Sequence, residues 1–181
     1  MRICVFCGSS PGRLPAYHAA AQELGQLLAA EGIGLVYGGA NRGLMGTLAD
    51  AALAHKGEVI GVIPHAVVAL EVAHRGLADL RIVSTMHERK ALMADLSDAF
   101  IAMPGGIGTL DEFFEIYTWH TLRIHNKPIG LWNVEGYFDP LLSMLDHCVR
   151  EGFLSSNARE LVIVERSATA LVTTLQRTAA A

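Results

Sequence analysis

The sequence is poor in the residues that would give it a simple chemical label. Cysteine occurs three times in 181 residues. Cys4 and Cys7 have the spacing of a redox or zinc pair, but the segment around them reads as a strand, where residues three apart point to opposite faces. No second pair of that spacing occurs and the eight histidines do not cluster, so neither a disulfide nor a metal site is expected. Lysine is confined to Lys56, Lys90 and Lys127, none of them within a pyridoxal-phosphate motif. The 14 basic residues are scattered and the net charge is −4, which argues against nucleic acid or a membrane surface as partner. No apolar run is long enough to span a bilayer and no secretory leader pattern opens the sequence, so a cytoplasmic location is expected. The familiar nucleotide fingerprints are missing too. The glycine-rich stretch 38–43 runs into Leu44 where a Walker loop needs lysine, and no GxGxxG with a downstream ribose-binding acid occurs.

What the sequence has in quantity is apolar residues, 51% of the total, enough to build one sizeable core in a single domain over residues 1–181. Short β-rich runs alternate with helical patterns from end to end. Strands are expected at 2–7, 34–37, 58–63, 80–83, 99–103, 128–132 and 161–164. They are apolar on both sides, as parallel strands covered on both faces must be. Helices are expected at 15–31, 44–56, 86–97, 109–123, 137–151 and 167–176, with fraying after about residue 177. In the first, Ala20, Leu24, Leu27 and Leu28 form one apolar stripe. The pattern predicts an α/β fold of Rossmann type: a doubly wound, mainly parallel sheet of about seven strands with helices on both faces. Ligands in such folds bind outside the carboxyl ends of the strands.

Glycine and polar residues concentrate in the turns at that edge, at 8–12, 38–43 and 104–108. The third is the most informative: Pro104, Gly105, Gly106, Ile107, Gly108, Thr109, Leu110, Asp111 and Glu112 link an apolar strand to an amphipathic helix. Glycine lets a backbone approach a ligand closely, and a helix N-terminus offers unpaired N–H groups to an anion. From spacing, Thr109 and Glu112 form a capping box, in which Glu112 bonds back to the N-cap and can still face a ligand. Thr85 and Glu88 form a second box. It places Arg89 and Lys90 just past a helix's first turn, where cations are unfavourable. Solvent exposure, a salt bridge to Glu88 or Asp95, or a bound anion each account for them.

These segments, taken together, resemble the Lonely Guy family, the cytokinin riboside 5′-monophosphate phosphoribohydrolases. Residues 104–112 carry its PGGxGTxxE pattern intact, and Met86-His87-Glu88-Arg89-Lys90 its MHxRK pattern. The CVFCGSS opening, GGANRGLMG at 38–46 and the stretch 126–131 also look like the family. The resemblance covers nearly the whole sequence in order. It implies hydrolysis of the N-glycosidic bond of an adenosine-type 5′-monophosphate, with no cofactor. It makes Arg89 and Glu112 the catalytic pair. It assigns substrate binding to Lys90, to Gly105 through Asp111 of the motif, to Ser9 and Gly39 from the earlier loops, and to Glu71. Ala69-Leu70 replaces a Pro-Arg pair that often precedes that glutamate, removing any contact the arginine makes. The resemblance also implies a homodimer or larger homo-oligomer. Two rival classes are a nucleotide or molybdenum-cofactor carrier, and a pyridoxal-phosphate lysine decarboxylase.

Overall fold

The strands end where the sequence stops being apolar. In the computed structural model, which describes residues 1–71 and 73–180 (69–71 by backbone alone), β1 spans Arg2–Phe6, β2 Gly34–Tyr37 and β3 Val59–Pro64. They are followed by β4 Asp79–Val83, β5 Ala99–Ala102, β6 Ile129–Trp132 and β7 Val162–Glu165. All pair in parallel, in the order β4-β3-β2-β1-β5-β6-β7. The helices are α1 Pro15–Ala30, α2 Gly43–Ala54, α3 His65–Glu71, α4 Met86–Asp95, α5 Ile107–Thr121, α6 Asp139–Arg150, α7 Ser156–Glu160 and α8 Ala168–Ala179. The short α3 and α7 are the two that sequence periodicity missed. Neither is long enough to repeat a 3.6-residue pattern.

Alternation along β1 divides the core. Ile3, Val5 and Cys7 pack with Leu24 and Leu28 of α1, Leu48 of α2 and Leu171 of α8. Cys4 and Phe6 face the other way, onto Met93 of α4, Phe113 and Ile116 of α5 and Leu145 of α6. Burial drives both thiols well above their ordinary range, and the negative charge of Glu112 pushes in the same direction. Neutral thiols on opposite faces of a sheet can neither pair nor act as nucleophiles.

Strand order reverses between β1 and β5. From β1 the chain winds outward to β4, then returns to lay β5 on the other side of β1. The loops leaving these two strands therefore diverge and open a crevice. Gly8 joins the three glycine loops there. Its N–H donates to Pro104 O (3.1 Å), and its carbonyl accepts from Leu44 N (3.0 Å) at the start of α2. Among the described residues no helix is long and apolar enough to cross a membrane.

Candidate active site

The first turn of α5 corrects the expected capping box. The helix begins at Ile107 with Gly106 as N-cap, a residue that has no side chain to cap it. Leu110 N donates to Gly106 O (3.1 Å), so helical bonding starts three residues before Thr109. The reason is packing at Gly105. A Cβ there would lie 2.1 Å from Thr109 Oγ1 and 2.8 Å from Gly8 N. That close fit pulls Thr109 into the helix as a buried interior residue and makes it a wall for the loop. Two consequences follow. The leading amides of α5 carry the positive end of the dipole with no N-cap side chain over them, and Glu112 stands in the second turn, past the capping-box position.

Both consequences meet in one cavity of about 200 Å³, lined by Gly8, Ser9, Gly106, Ile107, Gly108, Thr109, Arg89 and Glu112, with Cys7 and Met45 as apolar floor. Arg89 reaches it from α4, whose start does follow the sequence expectation. Glu88 N donates to the N-cap Thr85 Oγ1 (3.1 Å), while the Glu88 carboxylate accepts from Ser84 N (2.8 Å), one residue earlier than in the standard box. The Arg89 side chain is only 6% exposed and that of Glu112 11%. Arg89 Nη2 stands 3.7 Å from Glu112 Oε1 and donates to Gly38 O at 3.3 Å. Arg89 Nε is buried and has no partner among the described residues. A guanidinium that gives up water needs an anion, and here it has Glu112, not Glu88 or Asp95.

Gly38 explains the first half of the glycine doublet in the second loop. A Cβ on it would fall 2.0 Å from Arg89 Nη2. Alanine there must displace the guanidinium from both the carbonyl and Glu112. Gly38→Ala is expected to lower kcat by about tenfold or more, on the scale of a lost charge-assisted hydrogen bond. Steady-state kinetics beside a thermal melt checks this; unchanged kcat would place Arg89 outside the chemistry.

The remaining sequence-predicted residues separate into groups. Ser9, Gly106, Ile107, Gly108 and Thr109 line the cavity with the pair. Lys90 does not project freely into it: its Nζ lies 3.1 Å from both Asp111 Oδ2 and Glu115 Oε1. Burial pulls the lysine pKa down, but the hydrogen bonds it donates to Glu115 and Asp111 outweigh that and leave the amine more firmly protonated. The ion pairs tie α4 to α5 and so set Arg89 opposite Glu112. Leu110 is half-buried and packs against the core on the Cys4–Phe6 side of the sheet. Gly39 turns against Leu80 and Ile63, away from the cavity lining, and its carbonyl accepts from His74 N (2.9 Å). Gly105 lines a neighbouring cavity. The side chain of Glu71 lies outside the described residues. Gly38, Met45 and Cys7 are site residues that sequence reasoning missed. For Gly38 the signal was present, a doublet directly after a strand.

Comparison with known proteins gives the arrangement a family. A family described as "Possible lysine decarboxylase" matches residues 45–175. The cytokinin riboside 5′-monophosphate phosphoribohydrolase of Rhodococcoides fascians is 53% identical over 163 residues, 90% of this chain and 82% of its own. A probable enzyme of that name from Oryza sativa is 50% identical over 175 residues, 97% of this chain and 71% of its own. The chain belongs to the Lonely Guy family. Among solved structures, the molybdenum cofactor binding protein of Rippkaea orientalis superposes with a TM-score of 0.72 at 24% identity, covering 97% of this chain and 95% of that one. At that identity the likeness shows the Rossmann-like fold.

The decarboxylase label attached to the family implies a pyridoxal phosphate held on a lysine, and the lysines of this Lonely Guy member do not fit one. A Schiff base needs a neutral amine in a pocket. Lys90 is locked between two carboxylates, Lys127 Nζ donates to Ala94 O (2.8 Å), and Lys56 is exposed on the turn after α2.

Proposed function

We propose that this protein hydrolyses the N-glycosidic bond of adenosine-type 5′-monophosphates, whether cytokinin riboside 5′-monophosphates or AMP, giving the free base and ribose 5-phosphate. The observation that carries the reading is the buried Arg89–Glu112 pair in the same cavity as an uncapped helix N-terminus. Roughly 50% identity to curated phosphoribohydrolases over nearly the whole chain supports it.

The parts divide the work as follows. The leading amides of α5 and the dipole behind them hold the 5′-phosphate, with Ser9 and Thr109 beside it. That fixes the ribose against Glu112. As the C1′–N bond breaks, its electron pair leaves with the base and positive charge develops on the sugar ring. Glu112 stabilises that charge and takes a proton from the water whose oxygen attacks C1′, as a carboxylate does in glycoside hydrolysis. The departing base is protonated, which balances the reaction. Arg89, 3.7 Å away, offsets the charge of the Glu112 carboxylate and orients it. Lys90, Asp111 and Glu115 act at one remove, by locking α4 to α5. Gly39 of the second loop and Glu71, before β4, are assigned to substrate binding by family resemblance.

AMP and isopentenyladenosine monophosphate offered side by side, with free base quantified by chromatography, test the reading. Base release from either supports it. Tight binding of both without release favours a carrier and overturns it.

We further propose that the 181 residues act as one domain in the cytoplasm and assemble at least as a homodimer. Ile107 at the cavity rim is 82% exposed, and Leu122 and Ile124 beyond the end of α5 are 65% and 64% exposed. These are the apolar groups a second copy can cover. Light scattering after size exclusion is expected to give at least twice the 19.4 kDa chain mass, and a lower mass for Ile107→Asp/Leu122→Asp. A monomer in the unaltered protein would overturn this assembly.

A further inference from the structure

On the far side of the glycine loop from Glu112 is a second cavity, of about 260 Å³. Its lining includes Ser9, Ser10, Tyr17, Gly105, Gly106 and Tyr137. Gly8, Ser9 and Gly106 border both cavities, so the loop is the wall between them. Tyr137 reaches across the second cavity and its hydroxyl donates to the carbonyl oxygen of Gly105.

The residues before Tyr137 are built to deliver it. Asn133, at the end of β6, is buried; its Nδ2 donates to Asp139 Oδ1 (2.6 Å) and its Oδ1 accepts from Phe138 N (2.7 Å). Between these anchors the chain makes a tight turn at Val134–Gly136, with Glu135 at φ 51° and Gly136 at φ 70°. A non-glycine residue in the left-handed region costs about 1 kcal/mol or more and persists where its surroundings fix it. The Tyr137 ring is held edge-on by Tyr17 and Phe138, at centroid distances of 5.7 and 5.1 Å.

Gly105 C=O and Gly106 N–H belong to one peptide unit, which is trans, so they point in opposite directions. Pinning the carbonyl to Tyr137 turns the Gly106 N–H away from it. The other cavity that Gly106 lines is the one with Arg89 and Glu112. A glycine on each side of this peptide removes the Cβ clashes that keep a peptide plane from flipping elsewhere. With no side chain on either residue, the peptide itself resists reorientation less than it would elsewhere. Accepting a hydrogen bond at the carbonyl also polarises the same peptide's N–H into a better donor.

Resting on the hydrolase reading above, we propose that Tyr137 is a positioning residue: through its hydroxyl it sets the Gly105–Gly106 peptide so that the Gly106 amide serves the 5′-phosphate of the substrate. Tyr137→Phe keeps the ring contacts and removes only the hydroxyl. It is expected to weaken binding of ribose 5-phosphate, measured calorimetrically, by about tenfold. KM for the nucleotide rises in step while kcat stays within a factor of three. In amide NMR spectra the Gly106 signal loses most of its shift on phosphate addition. Unchanged affinity overturns the proposal, as does a fall in kcat with KM unchanged. A lower melting temperature with normal affinity in the folded fraction shows a merely structural role and also overturns it. The binding measurement needs no turnover. If the unaltered protein binds ribose 5-phosphate yet releases no base, the hydrolase reading fails, and the assignment of Tyr137 is judged separately.

Discussion

Glu112→Gln is expected to reduce kcat by roughly 10²- to 10⁴-fold, the range over which a positioned acid–base group acts, while nucleotide affinity changes by no more than about threefold. The substitution preserves shape and removes charge. Had Glu112 capped α5, its loss would have confounded chemistry with an unravelled helix start. The structure removes that ambiguity, because α5 begins on Gly106 and Glu112 stands in its second turn, beyond the position a capping-box glutamate occupies. Glutamine still presents an oxygen to Arg89, whose bond to Gly38 O is untouched. A modest drop in melting temperature is therefore expected, with no loss of fold. Single-turnover base release with AMP, read beside calorimetric binding of ribose 5-phosphate, separates the two effects. A variant that binds normally and turns over near the unaltered rate would remove Glu112 from the chemistry.

Much of the fold was legible because the local signals agree with it. Each strand falls within about a residue of its apolar run, since parallel strands buried on both faces are apolar throughout and end at glycine, proline or charge. The position of β5 beside β1 was not written in either strand. It follows from the winding, yet it is what gathers Gly8, Gly38 and Gly106 at one place. The capping box at Thr109 failed for a related reason. A spacing rule reads residues along the chain, whereas the start of α5 depends on how closely Gly105 fits against Thr109 and against Gly8, in the loop of the neighbouring strand. Thr85 does cap α4, with the return bond of Glu88 shifted to Ser84 N. The partners of Arg89 and Lys90 were equally hidden. Both cations sit against their own helix dipole, a cost visible in the sequence. The carboxylates that offset it, Glu112, Asp111 and Glu115, all lie on α5.

Replacing Arg89 decides which of its two possible roles it plays, binding phosphate or holding Glu112. Arg89→Met leaves Glu112 with a largely buried charge and no guanidinium beside it, which is expected to cost about 3 kcal/mol of stability. Activity should fall at least a hundredfold at neutral pH. The pH dependence carries the sign. Arg89 favours the charged form of a nearby carboxylate, so its removal favours the protonated form, and ionisation then requires a higher pH. If Arg89 serves Glu112, the acid limb of the kcat profile moves upward in Arg89→Met and part of the activity returns as pH rises. Arg89→Lys keeps a charge but loses the planar fork that spans Gly38 O and the carboxylate, so it should fall between the two. If instead Arg89→Met leaves the acid limb in place and raises KM alone, the guanidinium binds substrate phosphate. The 3.7 Å separation from Glu112 Oε1, beyond hydrogen-bond range yet well within reach of the charge, favours the first outcome.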